Sequence, residues 1–480
     1  MSDSLKQRTV NGVVWSAIER FLSLGIQMIC TLVVAHFLTP YDFGLLGMVT
    51  VFSAVGMVII DSGFGSALIR RNDNTNLDYS SVFYFNVILG ILAYIILYFF
   101  APIIAKFYGV PELTSICRIT FLILPINALG LIQNTKLIKQ INFKAIAIVS
   151  ITAALISGTA GIIIALKIRN VWALVIQNLA MYVLRTILLW IIGNWKPLLE
   201  FSFASIKSMW GYSVNLLISG LIGSLTVNIY PLIIGKIYNA TQLGYYSQAD
   251  RFQKLPSTSL TEVIQRVCFP ILAEVKDDLL KMRNVYRQLI MISFFIIFPI
   301  MMLLSGIAHE LIIVLLGNQW ETTAIFFQVL CVVGGIYPLQ SINLNILNVV
   351  GKSRLALYLE ISRKSLLLIF ILIAMHFDIF YFVCMQVIYG IIVLFINIYF
   401  CGREINYTVL DQIKDLLPTF LITTGALITM FFISHFIIAV PYILMIVKII
   451  IFTMFYLWLN SFFHTESYRL TIPIITKFIK

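Results

Sequence analysis

The sequence is short of charge. Only 11% of its 480 residues are Asp, Glu, Lys or Arg, against about 25% in soluble domains. That shortage excludes a water-solvated surface over most of the chain. Cysteine is scarce as well. Cys30, Cys117, Cys268, Cys331, Cys384 and Cys401 lie scattered in or beside apolar runs. With no CxxC and no Cys/His cluster, a disulfide framework and a metal site are both poor readings, and each cysteine reads as a small core hydrophobe. No Walker-type GxxxxGK[ST] and no dinucleotide fingerprint occurs, so this chain does not drive transport with ATP by itself. The stretches between apolar runs are too short to fold into a separate catalytic domain. The start, MSDSLKQRTVNGVVWSAIERF, lacks a small-residue cleavage site. It reads as a retained first span rather than a signal peptide.

What is there is hydrophobicity. Apolar residues make up 60% of the chain, and runs longer than about 18 residues recur from end to end, each a candidate membrane span. Segmentation at Pro, Gly and charged breaks predicts about fourteen spans, hence an all-α polytopic membrane protein. Basic residues orient it. Lys6, Arg8, Arg70, Arg71, Lys136, Lys139, Lys144, Lys196, Lys207 and the later cluster Lys276 to Arg287 fall in one set of loops. The opposite set holds only Lys106, Lys167, Arg169 and Lys236. The first set, with both termini, is expected in the cytoplasm. The net charge of +12 reads as loop charge; no nucleic-acid partner is expected.

An internal repeat is detectable. HFLTPYDFGLL, from His36, echoes KIYNATQLGYY, from Lys236: an apolar span ends, a polar turn follows, and Gly44 or Gly244 opens the next span. NVWALVIQ, ending at Gln177, is echoed by IFYFVCMQ, ending at Gln386. The expected organisation is a six-helix half over 1–200, a second over 201–405, and two added helices with a cytoplasmic tail over 406–480. Six is an even number, so the halves run parallel, an arrangement that suits alternating access better than a static pore.

A charge at the bilayer centre costs about 2.5–3.5 kcal/mol on insertion scales and persists when paired or facing a wet cavity. Four groups lie within apolar runs. Glu19 and Arg20 sit in WSAIERF, where Arg20 can snorkel and the shorter Glu19 needs a partner or a cavity. In the same group, Asp61 on the next span, in IIDSGFGSALIRR, is either part of a small-residue packing site or a cation or proton site. Glu360, Arg363 and Lys364 read as a snorkelling cluster or a cytoplasmic gate. Arg118, Arg185 and Lys448 are isolated, Arg118 near the outer boundary and Arg185 deep in its span.

The densest group is YYSQADRFQKLPSTSLTEVIQRV, from Tyr245. Glu262 and Arg266 are four apart and can pair along a helix. Arg251 and Lys254, with Asp250 as their one obvious local partner, leave cationic charge over, which suits an anion. Asn215, Asn228, Gln340, Asn343, Asn345 and Asn348 are polar amides in apolar runs, able to hydrogen-bond sugars or to glue helices together. A wet cationic cavity calls for a polar, anionic cargo, with phosphate the best fit.

LGYYSQADRFQKLPSTSLTEVIQRVCFPILAEVKDD, from Leu243 to Asp278, resembles the signature region of bacterial Wzx-type polysaccharide flippases, and more closely their WzxC-like lipopolysaccharide and exopolysaccharide exporters. TVNGVVWSAIERF, LTPYDFGLLGM, IDSGFGSALIRR, DYSSVFYFN and VWALVIQ carry the likeness across most of both expected halves. The resemblance implies the multidrug/oligosaccharidyl-lipid/polysaccharide exporter fold in the bacterial inner membrane. It implies flipping of undecaprenyl-diphosphate-linked oligosaccharide, with membrane lipids and a polysaccharide polymerase or other assembly proteins as partners. No cofactor is expected beyond coupling to H+ or Na+. On this reading Arg251, Lys254, Arg185, Asn215 and Asn345 contact cargo, while Glu19, Asp61, Asp250, Glu262, Arg266 and Arg363 serve ion coupling or gating. A cation-coupled multidrug exporter and a membrane polysaccharide polymerase or ligase are the alternatives.

Overall fold

The structure is a computed structural model that describes residues 3–275, 277–437 and 440–479. The described residues form helices and connecting turns, with no strand. The chain divides into two compact units, residues 1–244 and 245–480.

The first unit holds α1 (Asp3–Ala35), α2 (Pro40–Asp61), α3 (Phe64–Arg70), α4 (Asn76–Tyr108), α5 (Leu113–Thr120), α6 (Ile123–Lys139), α7 (Phe143–Ile168), α8 (Trp172–Gly193) and α9 (Phe203–Ile237). The unit boundary falls inside α10 (Ala240–Glu274). The second unit continues with α11 (Leu279–Gly306), α12 (Ala308–Leu316), α13 (Glu321–Val349), α14 (Ser353–Ala374), α15 (Ile379–Glu404), α16 (Val409–His435), α17 (Pro441–Phe462) and α18 (Glu466–Ile479).

Taking α2–α3, α5–α6 and the α13 region as single broken rods, the described residues form fourteen rods long enough to span. Twelve of them are also apolar enough to cross a membrane. The other two are α10 and α14, the helices carrying Asp250, Arg251, Lys254, Glu262 and Arg266, and Glu360, Arg363 and Lys364. Charge, not length, sets these two apart.

Local sequence explains the ends. Thr75 with Asp78, and Thr408 with Asp411, form reciprocal capping boxes that start α4 and α16, satisfying N–H groups that have no partner in the first turn. Asp78, prominent in DYSSVFYFN, is thereby a cap. Packing in the first unit relies on small residues. Ala145, Ala147, Ser150, Ala153, Ala154, Ser157, Gly158 and Gly161 are buried on α7, which lies against α1 and α8. In lipid, such small faces let backbones approach closely.

The first unit reaches past the expected boundary at residue 200, because α9 packs on α2, α3 and α4. Phe64, Leu68, Tyr79, Phe83, Ile132, Trp195, Ile206 and Met209 share one buried cluster, which ties the start of α9 to α3, α4 and α6.

The N-termini of α2 and α10 meet in a reciprocal contact. A Cβ on Gly44 would run into the Ala240 carbonyl, and a Cβ on Gly244 into the Pro40 carbonyl. Pro40 and Ala240 stand at the same offset as the two glycines.

Candidate functional site: a charged cavity in the first unit

Span 2 is broken where its acid sits. α2 ends at Asp61 because Ser62 (φ 39°) and Gly63 (φ 75°) are left-handed, and the chain restarts as α3 at Phe64. The conformation suits Gly63 and costs Ser62 of order 1–2 kcal/mol. A Cβ on Gly63 would sit 2.8 Å from Leu216 Cβ and 2.9 Å from the Ser213 carbonyl, so the break packs closely on α9. Broken helices at membrane depth occur where the freed backbone is buried or lines a cavity.

Here it lines one. A cavity of about 470 Å³ is bounded by α2, α3, α6 and α8. Asp61, Ser66, Asn127, Asn134, Thr135, Tyr182, Arg185 and Thr186 give it polar walls, and Met57, Val58, Leu131 and Leu189 line the rest. Arg185 is positioned from the α8 side. Thr186 donates to the Ile126 carbonyl at 2.9 Å and Trp190 to the Leu129 carbonyl at 2.9 Å, pinning α8 to α6 over the turn that follows it. Asp61 is exposed and Arg185 half-buried. Neither forms an ion pair with a described residue. Asn134 Oδ1 is buried and has no hydrogen-bond partner among the described residues. A cation, an anion and an unsatisfied acceptor therefore face one space without neutralising each other.

The second unit sorts the remaining charges. Lys254 pairs with Asp250 at 2.6 Å, a contact within one turn of α10. Arg251 is half-buried and forms no ion pair with a described residue. Glu262 and Arg266 do not pair with each other, contrary to their spacing; Arg266 is exposed, and an exposed i,i+4 pair is worth only about 0.3–0.5 kcal/mol. Arg363 and Lys364 both pair with Glu360, the lysine at 3.2 Å. Among the amides, Gln340 donates to the Gly390 carbonyl at 2.8 Å and Asn343 accepts from Tyr286; these two are interhelical glue. Asn345 is half-buried with no hydrogen bond to a described residue, and Asn215 on α9 is exposed. In the first unit, half-buried Glu19 forms no ion pair with a described residue, and Arg118 lies over the Tyr98 ring at 4.4 Å.

Two ionic clusters escaped the sequence reading. Lys448 on α17 is not isolated: it binds Glu310 on α12 at 2.6 Å, and both are almost fully buried. The signal for Glu310 was a lone acid in the apolar run AHELIIVLL. Arg287 on α11 forks onto Asp415 of α16, at 2.6 and 2.7 Å, and onto Glu466 of α18, at 2.5 and 2.6 Å. The Tyr407 hydroxyl joins by donating to Asp415. Burial, and then the Asp415 carboxylate, push the Tyr407 phenol well above its ordinary range.

The described residues thus form an all-α bundle with twelve candidate membrane spans, broken helices and a polar cavity. Solved structures agree on the fold. The lipid II flippase MurJ in its inward closed conformation superposes with a TM-score of 0.72 at 16% identity, covering 95% of this chain and 99% of that one. The sequence then places the chain more narrowly: residues 33–325 match the family described as polysaccharide biosynthesis protein, and the chain belongs to it. It is 25% identical over 357 residues to the teichuronic acid biosynthesis protein TuaB of Bacillus subtilis, covering 74% of each chain. It is 26% identical over 337 residues to the lipopolysaccharide biosynthesis protein WzxC of Escherichia coli, covering 69% of this chain and 68% of that one.

Proposed function

We propose that this protein flips undecaprenyl-diphosphate-linked oligosaccharide, the repeat unit of a surface polysaccharide, from the inner to the outer leaflet of a bacterial inner membrane. The observation that carries the reading is the Arg185 guanidinium. It lines a polar cavity among candidate membrane spans, free of any described carboxylate partner, in a member of a polysaccharide biosynthesis family. An unneutralised guanidinium there is costly unless an anion visits it, and its planar fork suits phosphate oxygens. In the second unit Arg251 is half-buried and has no carboxylate partner among the described residues. Asn215 and Asn345, with no hydrogen-bond partner among the described residues, are available to sugar hydroxyls.

The cycle is alternating access between two parallel repeats, with no covalent change in cargo. Asp61 is the first choice for coupling to H+ or Na+, since it shares the cavity with Arg185. Glu19, Asp250, Glu262, Arg266 and Arg363 complete the coupling and gating set, and Lys254 acts together with Asp250 as an ion pair beside Arg251. Both termini lie in the cytoplasm, and a polysaccharide polymerase is the partner that would consume the flipped product.

Purified protein in liposomes carrying a fluorescent polyprenyl-diphosphate oligosaccharide tests the reading. Transfer to the opposite leaflet, measured by a membrane-impermeant quencher, is expected for the wild type and lost in Arg185→Gln. Equal transfer by protein-free liposomes, or by a well-folded Arg185→Gln protein, would overturn it. So would a deletion strain that changes in drug sensitivity while exporting normal glycan.

A further inference from the structure

A second cavity, of about 730 Å³, lies at the basic end of the first unit. Its walls come from the turn before α4, the C-terminal end of α6 and the segment 193–198 after α8. Two lysines line it, Lys136 and Lys196, and no carboxylate does. Lys136 is held in place by rings: its ammonium lies 4.7 Å from the Tyr79 ring centre and 5.4 Å from that of Trp195. Cation–π contact fixes the charge without neutralising it. Neither lysine has a carboxylate partner among the described residues. Asn74, which also lines the cavity, has an Oδ1 with no hydrogen-bond partner among the described residues.

The floor is rigid. Gln133 donates to the Trp195 carbonyl at 2.8 Å, Trp195 to Asn76 Oδ1 at 2.5 Å, and Ser80 and Ser81 each accept a backbone N–H, from Leu198 and Ser202, at 2.8 Å. The same strap then presents bare hydrophobes: Leu199 is 97% exposed, Phe203 71% and Phe201 50%. Apolar side chains that open, beside a lysine-lined bowl, are what the boundary between acyl chains and headgroups accommodates.

We infer that this cavity binds the headgroup of an anionic phospholipid of the phosphatidylglycerol type. Lys136 and Lys196 hold the phosphate, Asn74 Oδ1 accepts a glycerol hydroxyl, and Leu199 and Phe203 flank the acyl chains. The site is separate from the Asp61–Arg185 cavity and does not depend on the identity of the cargo. A polyprenyl diphosphate shares the phosphate chemistry but has no glycerol hydroxyl for Asn74.

Native mass spectrometry of the detergent-purified full chain, titrated with phosphatidylglycerol or with phosphatidylcholine of the same acyl chains, tests it. The wild type is expected to prefer phosphatidylglycerol. Each lysine near a membrane surface contributes roughly a factor of five, so Lys136→Gln/Lys196→Gln should weaken that binding about thirty-fold. Lys207→Gln, a basic residue at the same end but outside the cavity, should leave it unchanged. Lys136→Arg should keep it, which separates lost charge from lost fold. If the double variant does not fold, Lys196→Gln, an exposed position, should still show the five-fold loss. Equal affinity for the two lipids, undiminished phosphatidylglycerol binding by the double variant, or displacement of phosphatidylglycerol by equimolar undecaprenyl diphosphate would overturn the assignment.

Discussion

Asp61, at the end of α2, and Arg185, on α8, line the same cavity, and no ion pair forms between them. A structural salt bridge would be closed. In the cycle proposed above, an open pair leaves one charge for a coupling cation and the other for the anionic cargo.

Removing the two charges should therefore have different signatures. Arg185→Gln is expected to abolish glycan export, and Arg185→Lys to retain part of it, because a lysine keeps the charge and loses the fork. Asp61→Asn should leave cargo binding within a few-fold while slowing transport and removing its dependence on the ion gradient. Leaflet transfer with and without an imposed pH or sodium gradient measures this. Unchanged gradient dependence in Asp61→Asn would exclude Asp61 from coupling.

Arg251 and Lys254 should part company. Lys254 is bound to Asp250, whereas Arg251 has no described carboxylate partner. Arg251→Gln is expected to abolish export at normal expression, and Lys254→Gln to reduce it less. Complementation of a deletion strain, scored by surface polysaccharide, decides between them, and the reverse order would remove Arg251 from the cargo site.

The Lys448–Glu310 pair is structural. Lys448→Met leaves a buried carboxylate unpaired, at a cost of about 3–5 kcal/mol. Adding Glu310→Leu removes that orphan charge and should recover most of the loss. Thermal unfolding in detergent reads both steps; no recovery in the double variant would show that the pair matters for packing rather than charge.

Gly44 and Gly244 cannot accept a side chain without moving a facing carbonyl. Gly44→Val and Gly244→Val should each lower the unfolding temperature and abolish export, and because the contact is reciprocal the double variant should be little worse than either single one. Additive loss would argue against one shared seam.

Arg287 holds α18 to α11 and α16 through two carboxylates. Hydrogen bonds to charged groups contribute about 1.5–3 kcal/mol, so Arg287→Gln should release α18 and raise hydrogen exchange over 466–473 without changing exchange in α2. Unchanged exchange there would show α18 held by its apolar contacts instead.

Much of this protein was legible before any coordinates. Rare charges in an apolar chain mark themselves, and Asp61, Arg185 and Arg251 were found that way. Gly44 and Gly244, which match in the sequence, are each held to glycine by a facing carbonyl. Pairing was read less well. Lys254–Asp250 and Lys364–Glu360 formed as their spacing allowed, but Glu262 and Arg266 did not pair, since one helical turn supplies proximity and too little energy to compel contact at an exposed position. Lys448 looked isolated because its partner lies far away along the chain, on α12.

The sequence by itself determined the class of fold, because membrane insertion is governed by the length and polarity of each segment, and both are local properties. It also determined where unusual charges stand. Only the tertiary structure decided which of them meet. Helix packing in lipid is directed by small-residue faces and by broken spans such as that at Ser62–Gly63, and those set the rotation of each helix about its axis. That rotation brings Asp61 and Arg185 to one cavity, closes Lys448 on Glu310, and leaves Lys136 and Lys196 lining an unneutralised bowl.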